Sequence, residues 1–211
     1  MHPWYRFCRF LFRCYFRLWH RGRIIAADKM PATGGCILAG NHMSFLDPPF
    51  FGQACPRGAY YMARDTLFRH PLANWILTSW NCVPMNRERG DIGAMRTVLR
   101  LLTEGKPVLM FPEGTRSDDG QLQEGRAGIG MIVAKARVPV VPMRIWGTNH
   151  ALPRGTSLPR PAKVIIRFGE PFTYPLPENF EKLRGDDLKA VYLDISREIM
   201  RRIGELTPTA K

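Results

Sequence analysis

The sequence predicts an α/β protein: a single domain built on a largely parallel mixed sheet flanked by helices, with an amphipathic helix ahead of it. Three observations carry that expectation. Short apolar runs alternate along the chain with stretches of helical periodicity, the pattern of strands joined through crossover helices. The run Pro107-Val108-Leu109-Met110-Phe111 is apolar at every position, as a strand covered on both faces would be. The chain of 211 residues is long enough for one domain with a sizeable core plus an appendage, and short for two.

Taken in order, residues 3–21 sort cleanly on a helical wheel of about 100° per residue. Arg6, Arg9, Arg13, Arg17, His20 and Arg21 fall on one side, with Trp4, Phe7, Leu11, Phe12, Tyr15, Phe16, Leu18 and Trp19 on the other. Phe10 is the large misfit. Residues 22–35 read as a connector ending in the turn Pro31-Ala32-Thr33-Gly34-Gly35. Cys36-Ile37-Leu38-Ala39 is the first firm strand. A helix is expected to begin between Ser44 and Pro48.

Strands follow at 59–63 and 82–85, with a helix over 71–80 between them. Asp91 is placed to cap a helix whose stripe is Ile92, Met95, Leu99 and Leu102, and Gly105 to stop it. After the strand at 107–111 come a helix at 125–136 and strands at 138–143 and 163–168. A last helix spans about 186–203, with Leu188, Val191, Tyr192, Ile195, Ile199 and Ile203 on one stripe. Loop 153–161 is Pro-rich. No internal repeat is seen.

Charge narrows the partners. The chain has 31 basic against 18 acidic residues, a net charge of +13. Residues 1–23 hold six arginines (Arg6, Arg9, Arg13, Arg17, Arg21 and Arg23) and no acid. Such asymmetry points to an anionic partner: a membrane surface, nucleic acid or a phosphate-bearing substrate. The five cysteines, Cys8, Cys14, Cys36, Cys55 and Cys82, have neither paired nor zinc-ligand spacing, so no metal site is expected and a reducing compartment fits.

Arginine interrupts every apolar run near the N-terminus, which argues against a secretory signal. A 19-residue helix would be about 28 Å long, enough to span. An arginine at almost every turn opposes it at about 2.5–3.5 kcal/mol each. The expectation is residues 1–23 as a membrane-docking helix lying in the interface, and residues 24–211 as the α/β domain.

Two stretches carry chemistry. Gly40-Asn41-His42-Met43-Ser44-Phe45-Leu46-Asp47 follows the first strand, so His42 stands where ligands of open α/β sheets bind. Asp47, five residues on, is placed to accept a hydrogen bond from Nδ1–H, leaving the other nitrogen basic toward a substrate. The same residues also read as a capping box, Ser44-x-x-Asp47, or as an Asp47 cap with Pro48 at the first helical position. The second stretch is Phe111-Pro112-Glu113-Gly114-Thr115-Arg116-Ser117.

The Asn-His-x-x-x-x-Asp box and the Phe-Pro-Glu-Gly-Thr-Arg-Ser box, in this order, resemble those of the glycerolipid acyltransferases that make phosphatidic acid from lysophosphatidic acid. The resemblance covers about residues 30–170. It implies that His42 deprotonates an acceptor hydroxyl, which attacks an acyl thioester directly. No Gly-x-Ser-x-Gly elbow suggests an acyl-enzyme. It further implies that Arg116 grips a phosphate, with Gly114 and Thr115 allowing close backbone approach and Glu113 facing a glycerol hydroxyl or holding Arg116.

Arg87 matches the arginine that closes the family's Gly-x-x-Phe-x-x-Arg box. Asn81 and Pro84 replace its usual Gly and Phe. Arg64 follows Met62-Ala63 where relatives often carry lysine, a further phosphate contact. Val138-Pro139-Val140-Val141-Pro142 resembles the fourth box.

No cofactor is implied beyond acyl-CoA or acyl carrier protein as co-substrate. The implied acceptor is a lysophospholipid, 1-acylglycerol-3-phosphate first and another lysolipid or a lyso-aminolipid as the variant. The implied place is the cytoplasmic face of the inner membrane, as a peripheral protein. A non-enzymatic basic protein binding membranes or nucleic acid also explains the pI near 10.1. It gives no reason for two intact boxes, and no nucleic-acid-binding signature is present.

Overall fold

The structure is a computed structural model and describes residues 3–86 and 92–209. Arg87 and Asp91 lie outside the described residues. The chain opens with α1 (Pro3–Leu18), a short strand β1 (Arg23–Ile25) and β2 (Cys36–Gly40). Next come α2 (Asp47–Ala54), β3 (Tyr60–Arg64), α3 (Pro71–Ser79), β4 (Cys82–Met85), α4 (Ile92–Thr103) and β5 (Pro107–Met110). Then α5 (Ala127–Ala136), β6 (Val140–Trp146), the single-turn α6 (Thr148–Ala151), β7 (Ile165–Phe168) and α7 (Gly185–Glu205) follow.

Among the described residues the strands make one seven-stranded sheet in the order β1-β7-β6-β2-β5-β3-β4. Every pairing is parallel except β6 with β7. β2 is central and buried at all five positions, because helices cover both faces of the sheet there. Its alternation divides the core. Cys36 and Leu38 join the layer of α1 and α2, while Ile37 and Ala39 join the layer of α4, α5 and α7.

The fold differs from the sequence expectation in two places. β1 lies inside the expected connector, where a three-residue run after Arg21 and Gly22 carries too little periodicity to stand out. It becomes a strand only by pairing with β7 from far downstream. In α4 the buried positions are Ala94, Val98, Leu101 and Leu102, and Ile92 is exposed. Leu102 is buried as expected and Met95 and Leu99 pack partly buried on the same core, so of the expected stripe only Ile92 turns to solvent.

The apolar side of α1 is divided. Tyr5, Cys8 and Phe16 are buried against the domain, with Phe12 and Tyr15 partly buried beside them. The Tyr5 hydroxyl lies 3.3 Å from that of Tyr61 and accepts the Ala59 N–H at 3.2 Å, which ties α1 to β3. Phe7, Phe10, Leu11, Leu18 and Trp19 stay exposed. No helix among the described residues is long and apolar enough to cross a membrane.

At the amino edge of the sheet, Arg57 holds two loops, the one before β2 and the one before β5. Its guanidinium donates to the carbonyls of Pro31, Gly34 and Gly105 at 2.8, 2.9 and 2.7 Å. Gly34 and Gly105 turn there with φ of 76° and 77°, a left-handed conformation that suits glycine.

Candidate active site

The site occupies the opposite, carboxyl edge. β2 ends at Gly40, and Asn41 then replaces the next rung of the ladder with its side chain. Its Nδ2 donates to the Ile145 carbonyl at 3.0 Å, and its Oδ1 accepts the Ile145 N–H at 2.8 Å. The exit of β2 is thereby clamped to β6, and His42 follows at a fixed angle. The sequence reading gave Asn41 no task. The polar amide directly after a buried strand was the available signal.

His42 is buried, and its Nδ1 lies 2.8 Å from Asp47 Oδ2. The same oxygen accepts the N–H groups of Met43 and Ser44, each at 2.6 Å. Asp47 is the first residue of α2, and its carboxylate turns back over the preceding loop instead of capping the helix forward. Pro48 and Pro49 preset the first turn without needing those donors. Of the two readings the spacing allowed, the geometry contains the His–Asp contact and leaves Ser44 another duty. The Ser44 hydroxyl donates to the Leu152 carbonyl at 2.9 Å.

Phe111 stacks on the imidazole, with centroids 4.0 Å apart and planes at 17°. One face of the His42 ring is thus covered, and its orientation is held from both the Asp47 side and the flat side. A backbone bond joins the two boxes: the Ser117 N–H donates to the His42 carbonyl at 2.8 Å.

The second box divides into a buried carboxyl and a shielded cation. Glu113 is almost fully buried, and neither carboxyl oxygen has a partner in hydrogen-bond geometry. Burial pushes its carboxyl up to about 7, and the nearby Asp47 pushes the same way. The amides of His42 and Gln123 approach closely enough to oppose this without reversing it. Gly114 turns with φ of 69°, which keeps Thr115 and Arg116 beside the His box. The Arg116 guanidinium sits 3.7 Å above the ring of exposed Phe45, binding the boxes again by a cation–π contact.

Arg64 is exposed at the end of β3, on the same edge, with β5 between its strand and β2. Beside the His box lies an apolar cavity of 390 Å³, enclosed by α1, α2, β3, α3 and β4. Phe45, Leu46 and Pro49 form one wall and Met62, Leu77 and Trp80 another.

Fold and geometry together define a class: an α/β protein with a clamped His–Asp pair at the carboxyl edge of its sheet and an apolar cavity on the face covered by α1 and α2. The family model described as Acyltransferase matches residues 22–146, and the chain belongs to that family. It is 32% identical over 124 residues to a chloroplastic 1-acyl-sn-glycerol-3-phosphate acyltransferase of Brassica napus, covering 58% of this chain and 36% of that protein. A 1-acyl-sn-glycerol-3-phosphate acyltransferase of Bacillus subtilis is 28% identical over 169 residues, covering 79% of this chain and 81% of that one.

The crystal structure of the 1-acyl-sn-glycerophosphate acyltransferase PlsC from Thermotoga maritima superposes with a TM-score of 0.72 at 25% identity. It covers 97% of this chain and 81% of that one. The chain spans only about a third of the length of the Brassica relative it matches.

Proposed function

We propose that this protein transfers a fatty acyl group from a thioester, acyl-CoA or acyl carrier protein, to the free hydroxyl of a lysophospholipid. The acceptor is 1-acylglycerol-3-phosphate and the product phosphatidic acid. The observation that carries this reading is the His42–Asp47 contact at 2.8 Å, clamped at the sheet edge and backed by Phe111. Its chemistry is that of a positioned base. Asp47 accepts a hydrogen bond from Nδ1–H, so Nε2 keeps its lone pair and takes the proton of the acceptor hydroxyl.

The acceptor oxygen then attacks the thioester carbonyl, and the tetrahedral adduct expels the thiolate as the carbon–sulfur bond breaks. The thiolate recovers the proton from the imidazolium, leaving an ester and a free thiol. No residue of the chain is acylated.

Arg116 receives the acceptor phosphate, joined by Arg64 and Arg87, with Gly114 and Thr115 presenting backbone to it and Glu113 receiving a glycerol hydroxyl. The apolar cavity beside Phe45 suits a hydrocarbon chain. Residues 1–23 dock the protein peripherally on the cytoplasmic leaflet through their arginines and exposed aromatics. The test is a panel of lysolipid acceptors with a labelled acyl thioester. Transfer is expected to 1-acylglycerol-3-phosphate and to be weaker for acceptors without phosphate. Equal transfer to both would assign Arg116 a structural role and a different acceptor.

A further inference from the structure

The exposed apolar surface extends beyond α1. α3 (Pro71–Ser79) carries no charged residue, and none of its residues is buried. Leu72 and Trp75 are 60% and 55% exposed, and Leu67, in the turn just before α3, is 52% exposed. A nine-residue helix that is apolar and yet presents these side chains to solvent is anomalous for a water-facing surface.

α1 and α3 meet edge to edge. Trp4 of α1 packs on Trp75 at 5.3 Å between centroids, and Phe12 packs on Trp80 at 5.0 Å. On a wheel of about 100° per residue, α1 has three sectors rather than two. One is buried against the domain and contains Tyr5, Phe12 and Phe16. Another is basic and exposed, with Arg6, Arg13 and Arg17. Between them lies an exposed apolar sector of Phe7, Phe10, Leu11 and Leu18, in which Phe10 is no longer a misfit.

We propose that α3, with Leu67, is a second bilayer-inserting element that shares one surface with the apolar sector of α1, so that the cavity lined by Phe45 and Leu46 opens into the leaflet. The occupant is an anionic phospholipid surface, on grounds of charge complementarity: exposed Arg6, Arg13 and Arg17 border the apolar sector on α1, and exposed Arg64 and Arg69 bracket the turn before α3. Leu67 and Leu77 also line the cavity, so the inserting segment is part of its wall. A lysolipid enters sideways from the leaflet with its chain in hydrocarbon throughout. Two inserting elements also fix the rotation of the domain on the membrane, which one helix cannot do. The inference rests on the lysolipid reading above for the cargo, but not for the surface.

The test uses the full chain with Leu72→Gln and Trp75→Gln combined. Both side chains are more than half exposed, but Trp75 also packs on Trp4, so thermal unfolding monitored by circular dichroism checks that the fold and the seat of α1 are kept. Binding to vesicles containing phosphatidylglycerol should weaken by about tenfold or more, with α1 intact. Transfer to a long-chain lysolipid presented in those vesicles should fall in parallel. Transfer to a short-chain, monomeric lysolipid in solution should be unchanged. Unchanged vesicle binding would overturn the proposal, as would equal loss with both acceptors. So would a concentration-dependent dimer abolished by the substitutions, which would assign the surface to a second copy. A wild-type chain that binds vesicles but acylates neither acceptor would overturn the functional reading and leave the surface standing.

Discussion

The two edges of the same sheet are built on opposite terms. At the amino edge, Arg57 satisfies three loop carbonyls. At the carboxyl edge, buried polarity is left over: Asp47 Oδ1 has no partner in hydrogen-bond geometry, and neither have the oxygens of Glu113, although the His42 and Gln123 amides lie near them. An unmet buried polar group costs about 1–3 kcal/mol, so the carboxyl edge is held at some expense to the fold. Stability and chemistry have been assigned to different ends of one set of strands, as the position of ligand sites in open α/β sheets leads one to expect.

Substitutions should therefore separate the edges. The largest effect is expected at Asp47. Asp47→Asn removes the charge that accepts His42 Nδ1–H and two backbone amides, and turnover should fall by about 10²–10⁴-fold, the worth of a positioned base. Steady-state transfer measured at equal folded concentration checks it, and a loss below tenfold would release Asp47 from the mechanism.

Next is Glu113. Its folded carboxyl stands near 7 against an ordinary 4.5, so below about 4.5 both folded and unfolded chains hold the proton and nothing is lost. As pH rises toward 7 the unfolded chain ionises more readily, and the fold loses about 3 kcal/mol. Glu113→Gln should be free of that loss, so its advantage over wild type should grow between pH 4.5 and 7 and vanish in acid. Urea midpoints at pH 4 and pH 8 read this directly.

Arg57→Ala should cost about 2–3 kcal/mol of stability while leaving turnover per folded molecule intact. A kinetic defect there would mean the two edges are coupled. The smallest effect is expected at Arg116. Arg116→Ala should weaken a phosphate-bearing acceptor by about 1.5–3 kcal/mol relative to an acceptor without phosphate, a difference that KM ratios measure.

What could be read from the sequence follows the same division. The elements that pack by periodicity were legible, including β2, β5 and α7, because a buried strand or a long amphipathic stripe announces itself locally. β1 was not, because three residues become a strand only through pairing with β7. In the site, His42 and the stretch 113–116 stood out as motifs. The parts that hold them did not. Asn41 acts through Ile145, Ser44 through Leu152, and Phe111 by stacking on His42, all contacts between residues far apart in the chain. Spacing alone left Asp47 between a helix cap and a histidine partner. The choice depended on a carboxylate that turns backward, which needs the loop 43–44 in place. The apolar stripe of α1 read as one face because a wheel cannot tell which part a neighbouring helix will cover.

The most direct measurement follows labelled acyl transfer from a thioester to 1-acylglycerol-3-phosphate by wild type, Arg57→Ala and His42→Ala at equal folded concentrations. Comparable product from the first two, and a rate lower by about 10²–10⁴-fold from the third, is the expected result. Transfer by His42→Ala at the wild-type rate would contradict it.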